Sequence, residues 1–246
     1  TNAWTGRPGI KTPNFKRLAE MSMSFINCEV PSPACAPSRV AIMTGVHPVK
    51  SGITGWRHPE WRKVPALQKV ETIEQFFKEG KSEIIFNDLL PLFSSSDYSI
   101  VNLECPLIVH RSPIKKDGRN LGVSVECING LKKSHIRAVN LANNHILDHG
   151  EQGLKSTVEA LNSADIEWFG AGSCLVEAQK PLVKTINNSL FVFIGVAEHE
   201  FSIAGNNTWG ANPIDIINNL KVIRKYRNEA DFLIVLLHGG KEHYPY

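Results

Sequence analysis

The sequence predicts an α/β protein, and three observations carry that expectation. From about residue 83 onward, short β-rich runs alternate with helical patterns, as in a sheet covered by helices. One run, Phe232 to Leu237, is apolar throughout, which is expected of a strand buried on both faces. Three of the strand-like runs end in side chains that bind ligands: Glu104, Asn143-Asn144-His145 and His238.

Taken in order, the first 80 residues read as loops and short helices. Thr12-Pro13 is an N-cap followed by proline at the first helical position. Phe25 to Val30 reads as a strand. Pro31, Pro33 and Pro37 hold an extended loop around Cys35, and Ser38 caps a short helix stopped by Gly45. Glu71 to Glu79 is a further helix, ended by Gly80.

Ile84 to Phe93 is amphipathic, with Pro91 shortening any helix there. Tyr98 to Leu103 is a short strand, Ile128 to Ser134 a helix and Arg137 to Ala142 a strand. Glu151 to Ala164 is a helix with Leu154, Val158 and Leu161 on its inner face. Pro181 to Ile186 and Leu190 to Val196 are strands joined by an Asn187-Asn188-Ser189 turn. Pro213 to Asn228 is a helix, followed by the apolar strand.

Composition excludes several classes. With 42% hydrophobic and 21% charged residues, the 246-residue chain is neither disordered nor fibrous. A net charge of +3 gives no footprint for nucleic acid. The longest apolar stretch is too short for a transmembrane helix. No signal peptide is evident, but the chain begins at Thr1, so localisation is open between cytoplasm and cell envelope or periplasm. Five cysteines with irregular spacing suggest neither a disulfide framework nor a zinc site. All seven aspartates lie at or after Asp88, whereas eight of fourteen prolines lie before residue 66. A hard-metal site built from several aspartates is therefore impossible within the first 80 residues.

The three strand ends carry the chemistry. Beyond the carboxyl ends of strands, loops converge while the sheet holds them rigid. A carboxylate, an amide oxygen and imidazoles form a mixed oxygen and nitrogen set. Such a set suits manganese, iron or zinc better than calcium. Each residue taken singly also reads as a strand cap bonded to a nearby loop.

Residues from about 83 to 246 resemble the CapA family, metallophosphatase-like proteins linked to capsule and poly-γ-glutamate synthesis. The matching stretches are Ile100-Val101-Asn102-Leu103-Glu104-Cys105-Pro106-Leu107 and Asn140 to Gly150. Gly170-Ala171-Gly172 with Glu177-Ala178, and Leu237 to Tyr244, continue it. The resemblance implies a metallophosphatase-like α/β sandwich with a divalent metal centre. On that pattern Glu104, Asn144 and His238 are metal ligands and His145 is the catalytic acid or phosphate-binding group. Asp148 orients the His145 loop beside the substrate, and Glu242 lies near the metal edge. Glu104, Asn144 and His238 are then expected within about 6 Å of one point, for ligand distances of roughly 2.0–2.2 Å. The family's opening Gly-Asp motif is not found before Ile84, and its closing Gly-His-x-His motif would follow residue 246, so the sandwich reads as truncated.

The first 80 residues resemble the type I sulfatases, an alkaline-phosphatase-like α/β fold. The carriers are Thr12-Pro13-Asn14-Phe15, Cys35-Ala36-Pro37-Ser38-Arg39, Thr44-Gly45 and Thr72-Ile73 with Phe76-Phe77. The resemblance implies conversion of Cys35 to formylglycine by a generating enzyme, Arg39 as a sulfate-side partner, and a calcium ion. Two readings of organisation follow: residues 1–80 as a sulfatase-like fragment, and residues 83–246 as a CapA-like domain. The expected function is that of a metal-dependent phosphoesterase-like protein acting on a phosphate- or sulfate-bearing small molecule or surface polymer. The alternatives are a formylglycine-dependent sulfuric-ester hydrolase and an inactive fusion of two truncated domains.

Overall fold

A computed structural model describes residues 73–116, 118–198 and 201–239. The chain divides into two units, Thr1–Val70 and Glu71–Tyr246, and every described residue belongs to the second. The expectations for the Thr12-Pro13 helix, the 25–30 strand and the Cys35 loop lie outside the described residues.

The second unit is a mixed α/β structure. It opens with short helices: α1 (Ile73–Lys78), α2 (Ser82–Phe86) and α3 (Leu90–Ser95). Pro91 sits in the first turn of α3, where its missing N–H costs no helical bond. Strands β1 (Ile100–Asn102), β4 (Ala138–Asn140) and β5 (Glu167–Phe169) form a parallel sheet with β4 in the middle. Two-residue strands β2 (Leu107–Ile108) and β3 (Val123–Ser124) pair beside it. Helix α4 (Ile128–Lys133) leads into β4, and α5 (Gly150–Ser163) connects β4 to β5.

A second sheet has the order β10-β8-β7, from β7 (Leu182–Ile186), β8 (Ser189–Ala197) and β10 (Phe232–His238). The β7–β8 hairpin turns through Asn187 (φ 49°) and Asn188 (φ 64°). Asparagine tolerates this left-handed conformation, and the paired positive φ values match the twist of the flanking strands. Between β5 and β7 lie β6 (Ala171–Gly172) and α6 (Leu175–Ala178); β9 (Gly210–Ala211) pairs with β6. Helix α7 (Ile216–Tyr226) is capped by Asp215, whose carboxylate accepts from Asn218 N at 3.0 Å.

The core follows from α5. Leu154, Val158 and Leu161 form its apolar stripe and pack with Leu107, Val139, Leu141 and Ile146. Burial of each such side chain stabilises by about 1.5–3 kcal/mol. Two hydroxyls on the same face dock the strand: Thr157 Oγ1 accepts from Leu107 N at 2.8 Å, and Ser156 Oγ donates to Leu107 O at 2.6 Å.

Two features differ from the sequence reading. First, β10 is not a buried central strand. Among the described residues it lies at a sheet edge, with Phe232 51% and Leu237 64% exposed. An apolar run reports a strand but not how many faces are covered. Second, α1 packs tightly within the second unit, against α4 and the residues just before it. Gly130 of α4 lies against Phe77, so that a Cβ there would sit 2.2 Å from Phe77 Cδ1. Asn129 Nδ2 donates to Lys78 O at 3.0 Å, and Ser124 N donates to Glu74 Oε1 at 3.2 Å. Ile73, Phe76 and Phe77 thus lie in a helix that packs on the CapA-like part.

Candidate functional site

The parallel register places Asn102, the last residue of β1, opposite Asn140, the last of β4. Beyond these ends the chain turns in a way that its amides dictate. Leu103 N donates to Asn140 O at 3.1 Å. Asn143 Nδ2 donates to Leu103 O at 2.8 Å, while Asn143 Oδ1 accepts from His145 N at 3.1 Å. The fully buried Asn143 therefore ties the Glu104 loop to the Asn144-His145 turn. Glu104 itself is half-buried, two residues past β1.

The second sheet supplies His238, the last residue of β10. Its Nε2 lies 3.1 Å from Asn144 Oδ1, and its Nδ1 lies 3.4 Å from Asn102 Nδ2. Asn140 Nδ2 donates to Asn102 Oδ1 at 3.2 Å. Three strand-end side chains separated by up to 136 positions thus meet in one polar cluster. Two glycines make room for it. A Cβ on Gly195 of β8 would come within 2.1 Å of Asn140 Oδ1, and one on Gly170 (φ +82°) within 2.7 Å.

A second cluster lies one turn away. Asp148 Oδ2 accepts from His145 Nδ1 at 2.7 Å and from Leu121 N at 2.6 Å. Its other oxygen pairs with Lys116 Nζ, which also lies 3.4 Å from His145 Nδ1. The Asp148 and Lys116 side chains are 1% and 4% exposed, whereas His145 is 19% exposed. Burial opposes the Asp148 charge, but hydrogen bonds from His145, Lys116 and Leu121 outweigh it and hold the carboxyl below the usual carboxylate range. In the neutral ring, Nδ1 donating to Asp148 leaves His145 Nε2 as the acceptor.

The next residue, His149, is buried. Its Nδ1 accepts from Ser112 N at 2.8 Å, and its Nε2 has no partner. Burial, reinforced by the charge of Arg111, lowers its pKa.

The structure therefore brings Asn144 and His238 together and sets Asp148 against His145. Asp148, expected to orient the His145 loop beside the substrate, is enclosed by Lys116, His145 and Leu121, because a buried carboxylate needs partners for its lone pairs. Cys35, Arg39 and Glu242 lie outside the described residues. Sequence reasoning missed Asn102, Lys116 and His149. Asn102 had a usable signal, since it ends the same strand run as Glu104. Lys116 had none, because its partner is 32 positions away.

Two three-stranded sheets with polar residues gathered at their strand ends make a mixed α/β domain. More particularly, the chain belongs to the bacterial capsule synthesis protein family PGA_cap, which residues 66–246 match. That match begins before the 83–246 span read from the motifs. The chain is 28% identical over 176 residues to the PGA biosynthesis protein CapA of Bacillus subtilis, covering 70% of this chain and 46% of that protein. It is 25% identical over 182 residues to the capsule biosynthesis protein CapA of Bacillus anthracis, covering 70% and 44%. The chain thus spans less than half the length of these curated relatives. A stretch of 46 residues is 54% identical to a sulfatase of Formosa agariphila, covering 19% of this chain and 9% of that protein. Among the described residues no helix is long and apolar enough to cross a membrane.

The family suggests a divalent metal. The described residues do not fit one as they are arranged. No three His, Cys, Asp or Glu side chains among them form a metal-holding group. The two closest donors, Asn144 Oδ1 and His238 Nε2, are bonded to each other. A hydrolytic centre needs about three protein ligands and an open position.

Proposed function

We propose that the chain acts in bacterial capsule or poly-γ-glutamate synthesis, binding a phosphate-bearing substrate over the ends of β1, β4 and β10. The observation that carries this reading is the meeting of Asn102, Asn144 and His238 from three separate strand ends. Polar residues at such a place serve ligands in open α/β sheets. In the proposed site the amides and His238 bind substrate oxygens. His145 accepts or delivers a proton at Nε2, and Asp148 with Lys116 holds its ring. Glu104 and Glu242 belong to the same set as candidate carboxylate ligands. If the cluster opens to an ion, its oxygen and nitrogen donors suit manganese, iron or zinc.

Complementation tests the reading. The full chain is expressed in a bacterium whose CapA has been deleted, and surface poly-γ-glutamate is quantified. Restored polymer is expected, and His145→Ala or His238→Ala should remove it while leaving the chain folded. A folded, expressed chain that restores none contradicts the proposal.

We propose in addition that residues 1–80 share ancestry with the sulfatases, followed by the CapA-like domain from about residue 83. The support is the 46-residue match to a sulfatase and the Cys35-to-Arg39 motif. Co-expression with a formylglycine-generating enzyme should give an aldehyde at Cys35, read by hydrazide labelling. Labelling that survives Cys35→Ala, or never appears, overturns this part. Sulfuric-ester hydrolysis by the chain would then lose its nucleophile.

A further inference from the structure

The hydrogen bonds around His238 admit only one neutral form of its ring, and they can be followed outward from the backbone. Ala142 N donates to Asn140 Oδ1 at 3.1 Å. This fixes the Asn140 amide, so that its Nδ2 faces Ala142 O at 3.3 Å and Asn102 at 3.2 Å. An amide nitrogen only donates. Asn102 must therefore present Oδ1 to Asn140, which turns its own Nδ2 toward His238 Nδ1 at 3.4 Å. The ring nitrogen facing that donor must be bare. In a neutral ring the proton then sits on Nε2, where it donates to Asn144 Oδ1 at 3.1 Å. Every donor in the series meets an acceptor, and reversing any one amide creates a donor–donor or acceptor–acceptor contact.

We propose that Asn140 and Asn102 are positioning residues that set His238 as the Nε2–H tautomer. They thereby make it a hydrogen-bond donor toward the ligand site and withhold its nitrogens from a metal ion. Nε2 carries the proton, and the Nδ1 lone pair is occupied by Asn102. His145 has the opposite arrangement, with Nδ1 donating to Asp148. The two histidines therefore offer a ligand one donor and one acceptor. This inference rests on the site proposed above.

The discriminating change is Asn102→Asp. Asn102 is exposed, so the substitution leaves the core packing alone. One carboxylate oxygen still accepts from Asn140 Nδ2, and the other faces Nδ1 as an acceptor. The ring proton should move to Nδ1 and bare Nε2. The readout is long-range 1H–15N correlation of the imidazole nitrogens in the full chain, at mildly alkaline pH where the ring is neutral. The native chain should show a protonated Nε2 and a bare Nδ1 for His238; Asn102→Asp should show the reverse. Asn102→Leu, which removes the donor without adding an acceptor, should give a mixture.

Zinc titration provides the second readout. Asn102→Asp should bind zinc about tenfold or more tightly than the native chain, the scale on which residues behind a ligand tune metal affinity. A native ring protonated at Nδ1, or an unchanged tautomer in Asn102→Asp, overturns the relay. Equal zinc affinity in the two proteins overturns the withholding of the nitrogen. Both readouts are independent of polymer production. Failed complementation with the expected tautomer therefore refutes the functional reading alone, and a wrong tautomer with restored polymer refutes the relay alone.

Discussion

Replacing Asp148 by Asn should be among the most damaging single changes in the described residues. Asp148 is 1% exposed and faces a Lys116 ammonium that is 4% exposed. The substitution keeps the shape but leaves a cation buried without its counter-charge. Breaking one side of a buried ion pair costs about 3–5 kcal/mol. In a chain of this size each kcal/mol moves the melting temperature by roughly 2–4 °C, so a loss of about 6–20 °C is expected. Differential scanning calorimetry with urea titration reads it. The double variant Asp148→Leu with Lys116→Met removes both charges and should recover much of the loss. The pH dependence has a definite sign. Hydrogen bonds hold the folded Asp148 pKa below its unfolded value. Its contribution is therefore complete above about pH 4 and is lost as pH falls through the folded value. Asp148→Asn should flatten that acid limb. A variant melting within about 2 °C of the native chain, with an unchanged acid limb, would refute the account of this cluster.

Further outcomes follow from the same contacts. Gly130→Ala should destabilise by about 1–3 kcal/mol despite the better helix propensity of alanine, because the new methyl group meets Phe77; urea unfolding measures it. His149 has a lowered folded pKa, so its stabilising effect should fade as pH drops below about 6.5, and His149→Gln should remove that slope from the stability profile. Burial pushes the Cys105 thiol up to about 12 and the Cys127 thiol up to about 11, so both should resist alkylation in the folded chain while Cys35 labels first, as read by peptide mapping. The exposed, uncharged edge of β10 should promote self-association, and Val235→Lys should reduce it in sedimentation velocity.

Much of the second unit was legible because its signals are local. The 150–163 helix was readable from an apolar stripe at helical spacing, and the 187–188 turn from two residues that tolerate positive φ. Strands β1 and β4 were readable from β-rich runs, but those runs extend to Leu103 and Ala142, one and two residues beyond the observed ends at Asn102 and Asn140, whereas the end of the last strand at His238 was legible. What escaped depends on partners distant in sequence. The two-residue strands β2 and β3 are too short to show a period, and they pair across a loop. Lys116 is an ordinary lysine until folding sets it against Asp148. The exposure of β10 is invisible in its composition, since an edge strand and a central strand share the same apolar run. The amide relay needed coordinates, because donor and acceptor roles follow from orientation and not from residue type.

The central claim is that the ends of β1, β4 and β10 form one ligand site. Titration of the isotope-labelled full chain with inorganic phosphate, followed by backbone and side-chain amide shifts, tests it most directly. The account predicts saturable shifts centred on Asn102, Asn144, His145 and His238, abolished by His238→Ala. Shifts centred elsewhere, or none up to millimolar phosphate, would contradict it.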